Sequence, residues 1–326
     1  MYIVTGGAGF IGSALVWTLN SRGIDDILIV DTPGDPLKEK NLTPLNFKDF
    51  IEKKEFRKRL KSGLIKSSGI DTVIHLGACS NTTETDAAYL LDNNFNYSVD
   101  LGLFTAENSI RYIYASSAAT YGDGAQGYND DESKIDSLQP LNLYGYSKQL
   151  FDQFALKTGL LKKAAGLKFT NVFGPNEWHK GPMRSLVCKA YEQIKETGKL
   201  KLFKSHKPEF RDGEQMRDFL YIKDAVKMVL FFIDHPEING IYNIGSGKAE
   251  TWNTLASAIF AGMNLPENIE YIDMPAELQG KYQYYTKAEM GKLQSAGYTT
   301  APMPLKDAVI DYVKKHLIPD CHLGEG

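Results

Sequence analysis

The stretch that most constrains this chain is its opening. Tyr2-Ile-Val-Thr5 is a short β-branched and aromatic run, followed by Gly6-Gly7-Ala8-Gly9-Phe10-Ile11-Gly12 and an apolar segment from Ala14 to Leu19. Strand, glycine turn and helix in that order are the context in which a Gly-x-Gly-x-x-Gly spacing carries chemistry. Glycine is needed for a tight turn, for backbone close enough to touch a diphosphate, and for close packing of helix on strand. The helix N-terminus then offers free N–H groups and a partial positive charge to an anion. Taken alone the spacing could mark a glycine turn without a ligand. Here a second strand, Ile27-Leu-Ile-Val30, ends in Asp31, 19 positions after Gly12, close to the ~20 expected of a carboxylate that meets an adenosine ribose. These features predict an α/β chain with a Rossmann-type doubly wound parallel sheet. Gly6, Gly9, Phe10, Ile11, Gly12 and Asp31 are its first candidate contacts to a dinucleotide.

Asp31 favours NAD, because a carboxylate accepts from a 2′-hydroxyl. Thr32, Lys38 and Lys53 follow it, where a 2′-phosphate would be met, so the residues alone leave NAD and NADP open. Residues 33–70 read as a variable stretch, with a charge-rich solvated helix at 52–61. A third strand, 72–76, runs into Gly77-Ala78-Cys79-Ser80, small residues at the end of a strand that faces the cofactor crevice. His75 reads as a packed histidine and Cys79 as a small buried residue. Thr82 to Asp86 supply caps for a helix reaching Glu107, within which Asn93 or Asn94 faces the cofactor.

A fourth strand, 111–116, leads to Ser117, whose hydroxyl falls in the same crevice. The polar, acidic segment 123–139 reads as a surface loop. It delivers the chain to Pro140-Leu-Asn-Leu-Tyr144-Gly-Tyr146-Ser-Lys148, where Tyr144 and Lys148 lie one helical turn apart on one face. An ammonium ~5 Å from the phenol would lower its pKa by about two units at an effective dielectric of ~20. Spacing does not select this pair, since Tyr191 and Lys195 repeat it. Place does, because Tyr144 opens the helix that follows the strand carrying Ser117.

In the second half, a strand at 166–172 includes Asn171, Gly174-Pro175 breaks the chain away, and His179-Lys180-Gly181 passes over the mouth of the crevice. On residues alone Lys180 reads as a solvated loop lysine. The six histidines do not cluster, so no metal site is expected. A helix at 183–197, a strand at 201–203 and a basic loop to Arg217 form a substrate-binding part. Arg217 is either a bidentate grip on a substrate diphosphate or the partner of Asp218 in a salt bridge. A strand at 219–222, a helix after Asp224 and a strand at 241–244 return to the nucleotide-binding part. The predicted division is 1–173 with 219–248 for the dinucleotide domain, and 174–218 with 249–326 for a smaller α/β substrate-binding domain. That smaller domain ends in a helix at 305–317 and a polar, frayed tail beyond Pro319.

A chain of 326 residues is long enough for this two-part design. Its net charge of −3 gives no electrostatic reason to expect nucleic acid or an anionic membrane as partner. No apolar run approaches the ~20 residues of a membrane span, and Met1-Tyr-Ile-Val4 has no basic leader. The three cysteines, Cys79, Cys188 and Cys321, are scattered rather than paired in pattern. A cytoplasmic protein is expected.

These motifs resemble the extended short-chain dehydrogenase/reductase family: the glycine turn, Asp31, the Gly-Ala at 77, the Ser117 run ending Thr120-Tyr-Gly122, Tyr144-x-x-x-Lys148, Asn171-Val-Phe-Gly-Pro175, Arg217-Asp-Phe219 and Gly245-Ser-Gly247. The likeness covers nearly the whole chain and is strongest to the family's sugar-nucleotide epimerases. Its marks are Gly77-Ala-Cys-Ser80 with Thr82-Thr-Glu84, His179-Lys180-Gly181, and Gly280-Lys-Tyr-Gln283. Thr32 and Pro182 depart from the pattern, and 204–217 is longer. The resemblance implies Ser117, Tyr144, Lys148 and Lys180 as catalytic residues, with Lys180 the second acid/base. It adds Gly77, Ala78, Cys79, Ser80, Asn93, Lys148 and Val172 to the cofactor contacts. For the substrate it gives Ser117, Asn171, Lys180, Lys189, Phe203, Arg217 and Tyr282. It further implies NADP rather than NAD, an ADP-heptose substrate of lipopolysaccharide core precursor synthesis oxidised transiently at C6″, and a homo-oligomer, a pentamer being one form. A 4,6-dehydratase would need a carboxylate pair where Ala118 and Ala119 stand. A UDP-hexose 4-epimerase shares Ser117, Tyr144 and Lys148, and a catalytically silent NAD(P)-binding sensor would have no use for them.

Overall fold

The computed structural model describes residues 1–275 and 283–325. Its centre is a seven-stranded parallel sheet in the order Gly240–Ile244, Ala164–Phe169, Arg111–Ser117, Thr72–His75, Tyr2–Thr5, Ile27–Asp31, Asp49–Glu52. Tyr2–Thr5 lies in the middle, its residues paired in register with Ile27–Val30 on one side and Thr72–His75 on the other. The chain runs outward one way through its first three strands and the other way through the remaining four. The reversal between Tyr2–Thr5 and Thr72–His75 is a topological switch point, where adjacent loops part and leave a crevice at the C-terminal strand ends.

The strands read as apolar runs because both faces are covered. The helices Phe10–Ser21 and Ile222–Asp234 pack together on one side. Lys53–Lys61, Tyr97–Glu107 and Leu143–Lys157 cover the other, over Ile3, Val30, Tyr112 and Tyr114. Each Leu, Ile or Phe side chain so buried is worth about 1.5–3 kcal/mol relative to exposure. The first of these cores is continuous with the helices Leu186–Thr197, Trp252–Gly262 and Leu305–Tyr312. Beside them are three two-stranded pairs: Asn171–Phe173 with Phe219–Tyr221, Met216–Arg217 with Glu250–Thr251, and Leu200–Phe203 with Ile269–Ile272. Among the described residues no helix is long and apolar enough to cross a membrane.

The structure corrects the sequence reading in three places. The stretch 33–70 holds a further sheet strand, Asp49–Glu52, so the strands expected as third and fourth are the fourth and fifth. The charge-rich helix after it is amphipathic, with Phe56 fully buried and Leu60 in the core, and Glu52 caps it by accepting from the Glu55 N–H at 2.9 Å. Segment 123–139 is a packed strap. The Asn243 N–H donates to the buried Asp130 carboxylate at 2.8 Å, and Lys292 and the Ile241 N–H both donate to Glu132. The tail beyond Pro319 is docked: His322 and Leu323 are buried, and the Leu323 N–H donates to Asn176 at 3.0 Å.

Candidate active site

The glycine turn places its backbone where sequence predicted. Gly6 has φ +70°, and a Cβ there would lie 2.6 Å from the Gly77 nitrogen; a Cβ on Gly12 would lie 2.0 Å from the Gly6 carbonyl oxygen. Neither position can carry a side chain, so the loops after Thr5 and His75 and the first turn of the helix stay in contact. The helix Phe10–Ser21 begins at Gly9 with no side-chain cap, which leaves its first N–H groups to face the crevice. The Asp31 carboxylate accepts from the Ala8 N–H at 3.0 Å, the Thr32 N–H at 2.7 Å and Lys38 Nζ at 2.8 Å. It therefore ties the glycine turn to the end of its own strand while keeping one lone-pair direction for a further donor. Lys53 donates to the Asn93 Oδ1 at 2.7 Å, and burial with Arg57 and Lys38 close by lowers its pKa.

Asn93 and Asn94 divide their work. They sit in a π-helical turn, Leu91–Asn96, where the widened backbone turns both side chains inward. Asn94, fully buried, accepts from the Cys79 N–H at 2.9 Å and donates to the Cys79 carbonyl and to the Ser147 hydroxyl. It clamps the 77–80 loop to the helix Leu143–Lys157, while Asn93 lines the crevice. His75 is packed, as expected, between the hydroxyls of Thr5 at 2.6 Å and Ser98 at 3.0 Å, and burial holds its pKa well below the usual imidazole value. Cys79, read both as a small buried residue and as a cofactor contact, is partly exposed and lines the crevice.

Ser117 ends the strand Arg111–Ser117, with its hydroxyl accepting from the Ala119 N–H at 3.1 Å. The helix of Tyr144 starts at Asn142, which caps it by accepting from the Gly145 N–H at 2.8 Å. Gly145 has no room for a Cβ, which would fall 2.8 Å from the Ala119 carbonyl oxygen, so the first turn is pressed onto the end of the Ser117 strand. Beneath it lies a buried pair, Lys168 Nζ to Asp152 at 2.7 Å. Asp152 also accepts from the hydroxyls of Tyr114 and Ser116, and Lys168 also donates to Thr120. Removing one partner would leave an uncompensated buried charge at a cost of about 3–5 kcal/mol, so this network fixes strand and helix relative to each other.

The expected electrostatics of the Tyr144/Lys148 pair need correction. Lys148 is 4 % exposed and donates to the Ala115 carbonyl at 2.9 Å; burial brings its pKa down to about 8, against the raising effect of Asp152. The Tyr144 phenol is pushed above its usual pKa by burial, with the Ser117 hydroxyl pulling the other way. An ammonium directed at the phenol would have lowered that pKa. The lysine is instead committed to a backbone carbonyl of the adjoining strand.

Lys180 lies in the short helical turn Trp178–Met183, with its Nζ 5.2 Å from the centre of the Phe10 ring, above the glycine turn. Burial and the nearby Lys189 lower its pKa, while Glu177 raises it. It is a partly buried amine at the crevice, not a solvated loop lysine. Arg217 is 8 % exposed, with its guanidinium over the Trp252 ring at 5.6 Å. Asp218 accepts from the N–H groups of Ser246, Gly247 and Ala288, and so ties the loop after Gly240–Ile244 to the segment at Ala288.

One crevice of about 970 Å³ is lined by Gly6, Gly9, Phe10, Ile11, Gly12, Asp31, Thr32, Lys38, Lys53, Gly77, Ala78, Cys79, Ser80, Asn93, Ser117, Tyr144, Lys148, Asn171, Val172, Lys180 and Arg217. Lys189 and Phe203 do not line it among the described residues, and Tyr282 lies outside those residues. Lys189 is exposed and donates to the Pro182 carbonyl at 3.3 Å. Sequence reading missed Arg184, Trp252 and Gln283 on the wall. The signals for them were Arg184 four residues after Lys180, and Gln283 closing the Gly280–Gln283 motif.

Residues 2–245 match the model of the NAD dependent epimerase/dehydratase family. The chain is 50% identical to the ADP-L-glycero-D-manno-heptose-6-epimerase of Nitratidesulfovibrio vulgaris (strain Hildenborough) over 324 residues, covering 99% of this chain and 100% of the relative. It is 50% identical to the enzyme of the same name from Fusobacterium nucleatum subsp. nucleatum, covering 97% of this chain and 98% of that one. The fold matches the crystal structure of Helicobacter pylori ADP-L-glycero-D-manno-heptose-6-epimerase with a TM-score of 0.79 at 25% identity, over 96% of this chain and 95% of that chain.

Proposed function

The chain belongs to the NAD dependent epimerase/dehydratase family, and from that premise we propose that it interconverts ADP-D-glycero-D-manno-heptose and ADP-L-glycero-D-manno-heptose by transient oxidation at C6″. The observation that carries this reading is the meeting, in one crevice, of Ser117, Tyr144 and Lys148 with Lys180 above Phe10. Inverting a centre requires proton transfer on both sides of it, and a single tyrosine serves one. The full-length likeness to relatives named for this reaction supports the choice of substrate.

Residues 1–173 and 219–248 would hold the cofactor, and 174–218 with 249–326 the sugar nucleotide. The uncapped helix start and the side-chain-free turn at Gly6 and Gly12 fit a dinucleotide diphosphate. Lys38 and Lys53, with Arg57 near enough to depress Lys53, set an excess of cations beside Asp31. That excess favours a 2′-phosphate, and hence NADP over NAD. A nicotinamide dinucleotide held there would supply the hydride acceptor and donor for C6″, with zero net redox change.

The residues of this chain move the protons. Lys180, whose pKa burial lowers, is the group placed to accept the proton of the C6″ hydroxyl. The phenol of Tyr144, kept protonated by burial, donates to the ketone oxygen once the intermediate has turned its other face. In the reverse direction the two exchange roles, and each resets its proton through solvent at the crevice mouth. Ser117 donates to the reacting oxygen, Lys148 holds the cofactor ribose, and Arg217 grips the substrate diphosphate. Incubation with ADP-D-glycero-D-manno-heptose should bring the C6″ epimers to equilibrium by NMR, with UDP-galactose unchanged at C4″. Conversion of UDP-galactose alone would make the protein a 4-epimerase.

A further inference from the structure

Above the glycine turn sits a ring that the proposed chemistry does not use. His179 lines the crevice, and its Nε2 lies 4.0 Å from the point where a Cβ on Gly9 would stand. Its other nitrogen, Nδ1, faces the Asn41 amide nitrogen at 3.5 Å. The orientation of that amide is fixed by its partners. Asn41 Nδ2 points at the carbonyl oxygens of Ala8, at 3.0 Å, and Asn176, at 3.2 Å, which can only accept. Its Oδ1 faces His322 Nδ1 of the docked tail at 2.7 Å. Nδ1 of His179 therefore faces a donor nitrogen rather than an acceptor, which in a neutral ring favours the hydrogen on Nε2, the atom nearest Gly9. Burial, Lys38 and Lys180 bring the pKa of His179 down to about 4, so the ring is neutral near pH 7.

The loop carrying His179 is fastened from two sides. Asn176 donates to the Ser13 hydroxyl of the glycine-turn helix at 3.0 Å and accepts from Leu323, and Trp178 stacks on His322 with ring centres 5.3 Å apart.

We propose that His179 is a further ligand of the cofactor diphosphate, donating through Nε2–H beside the helix N-terminus at Gly9, with Asn41 and the C-terminal tail setting its tautomer and position. The proposal rests on the cofactor half of the proposed function and is independent of the sugar. A hydrogen bond to a charged group contributes about 1.5–3 kcal/mol, or roughly 10- to 150-fold in affinity.

The test is the rate at which bound dinucleotide leaves the holoenzyme into excess ADP-ribose, followed by chromatography of the released nicotinamide nucleotide. His179→Ala should release it at least about tenfold faster. His179→Gln, whose amide N–H reaches the Nε2 position, should stay within about threefold of wild type, whereas His179→Asn, which falls short, should behave as the alanine variant does. The Gln/Asn contrast stands even if the alanine variant fails to fold. Equal release from all three variants and wild type, or equal acceleration by Gln and Asn, would overturn the role. A wild-type protein that neither carries nor takes up NAD or NADP would overturn the cofactor reading itself, a result distinct from equal release rates.

Discussion

Tyr144 with Lys148 and Tyr191 with Lys195 share one spacing in one chain, and the fold has inverted which member is buried. In the first pair the lysine is buried and bonded to the Ala115 carbonyl while the tyrosine reaches the crevice. In the second, Tyr191 is packed in the core and Lys195 is exposed, its ammonium 5.7 Å from the centre of the tyrosine ring. The helix Leu143–Lys157 is pinned at Gly145 against the end of a central strand, whereas Leu186–Thr197 starts from Ser185 and turns its apolar face to the helix Trp252–Gly262. A sequence pattern fixes a face, and the neighbouring strand decides what that face meets.

The largest effect expected from breaking this contrast is on turnover. Tyr144→Phe should lower the epimerisation rate by about 10³-fold or more with bound cofactor kept, and Tyr191→Phe should leave it within about twofold, both read from initial rates by NMR. Lys180→Ala should lower the rate by about 10²-fold and substrate binding far less, whereas Lys195→Ala should change neither; titration calorimetry with substrate separates the two effects. Stability should run the opposite way. Tyr191→Ala should cost about 3–5 kcal/mol in denaturant unfolding through its core cavity, well above the loss from Tyr144→Ala at the crevice wall.

The smallest effect is on pH dependence. With Lys148 at about 8, its ammonium is present below that pH and lost above it. Epimerisation should therefore fall on the alkaline side with an apparent pKa near 8, and Lys148→Met should remove that limb while lowering the rate throughout. By linkage the site binds fewer protons folded than unfolded between about 8 and the ordinary lysine value of 10.5, so its contribution to stability rises with pH over that window. Lys195→Met should alter neither profile.

Much of this was legible in the sequence where a residue type has only one structural use. Gly6 and Gly12 permit no side chain, Asp31 ends its strand, and the Ser117 strand leads to Tyr144. These features located the sheet, the switch point and most of the crevice wall. The strand Asp49–Glu52 was missed because it is four residues long, charged at both ends and on the sheet edge, so the alternation of a half-buried strand does not develop. The docked tail was missed because His322 and Leu323 are held by Asn41 and Asn176, partners far away in sequence. The electrostatics of Tyr144 and Lys148 differ from the sequence expectation for a related reason. A spacing of four residues gives the face but not the Ala115 carbonyl that claims the ammonium.

The central claim is that C6″ is inverted by a hydride that leaves and returns. Its most direct test is to run the reaction on ADP-D-glycero-D-manno-heptose in D₂O and observe C6″ by NMR. The expected product is an inverted centre bearing its original hydrogen, with no solvent deuterium at carbon. Deuterium at C6″, or a centre that stays uninverted, would contradict it.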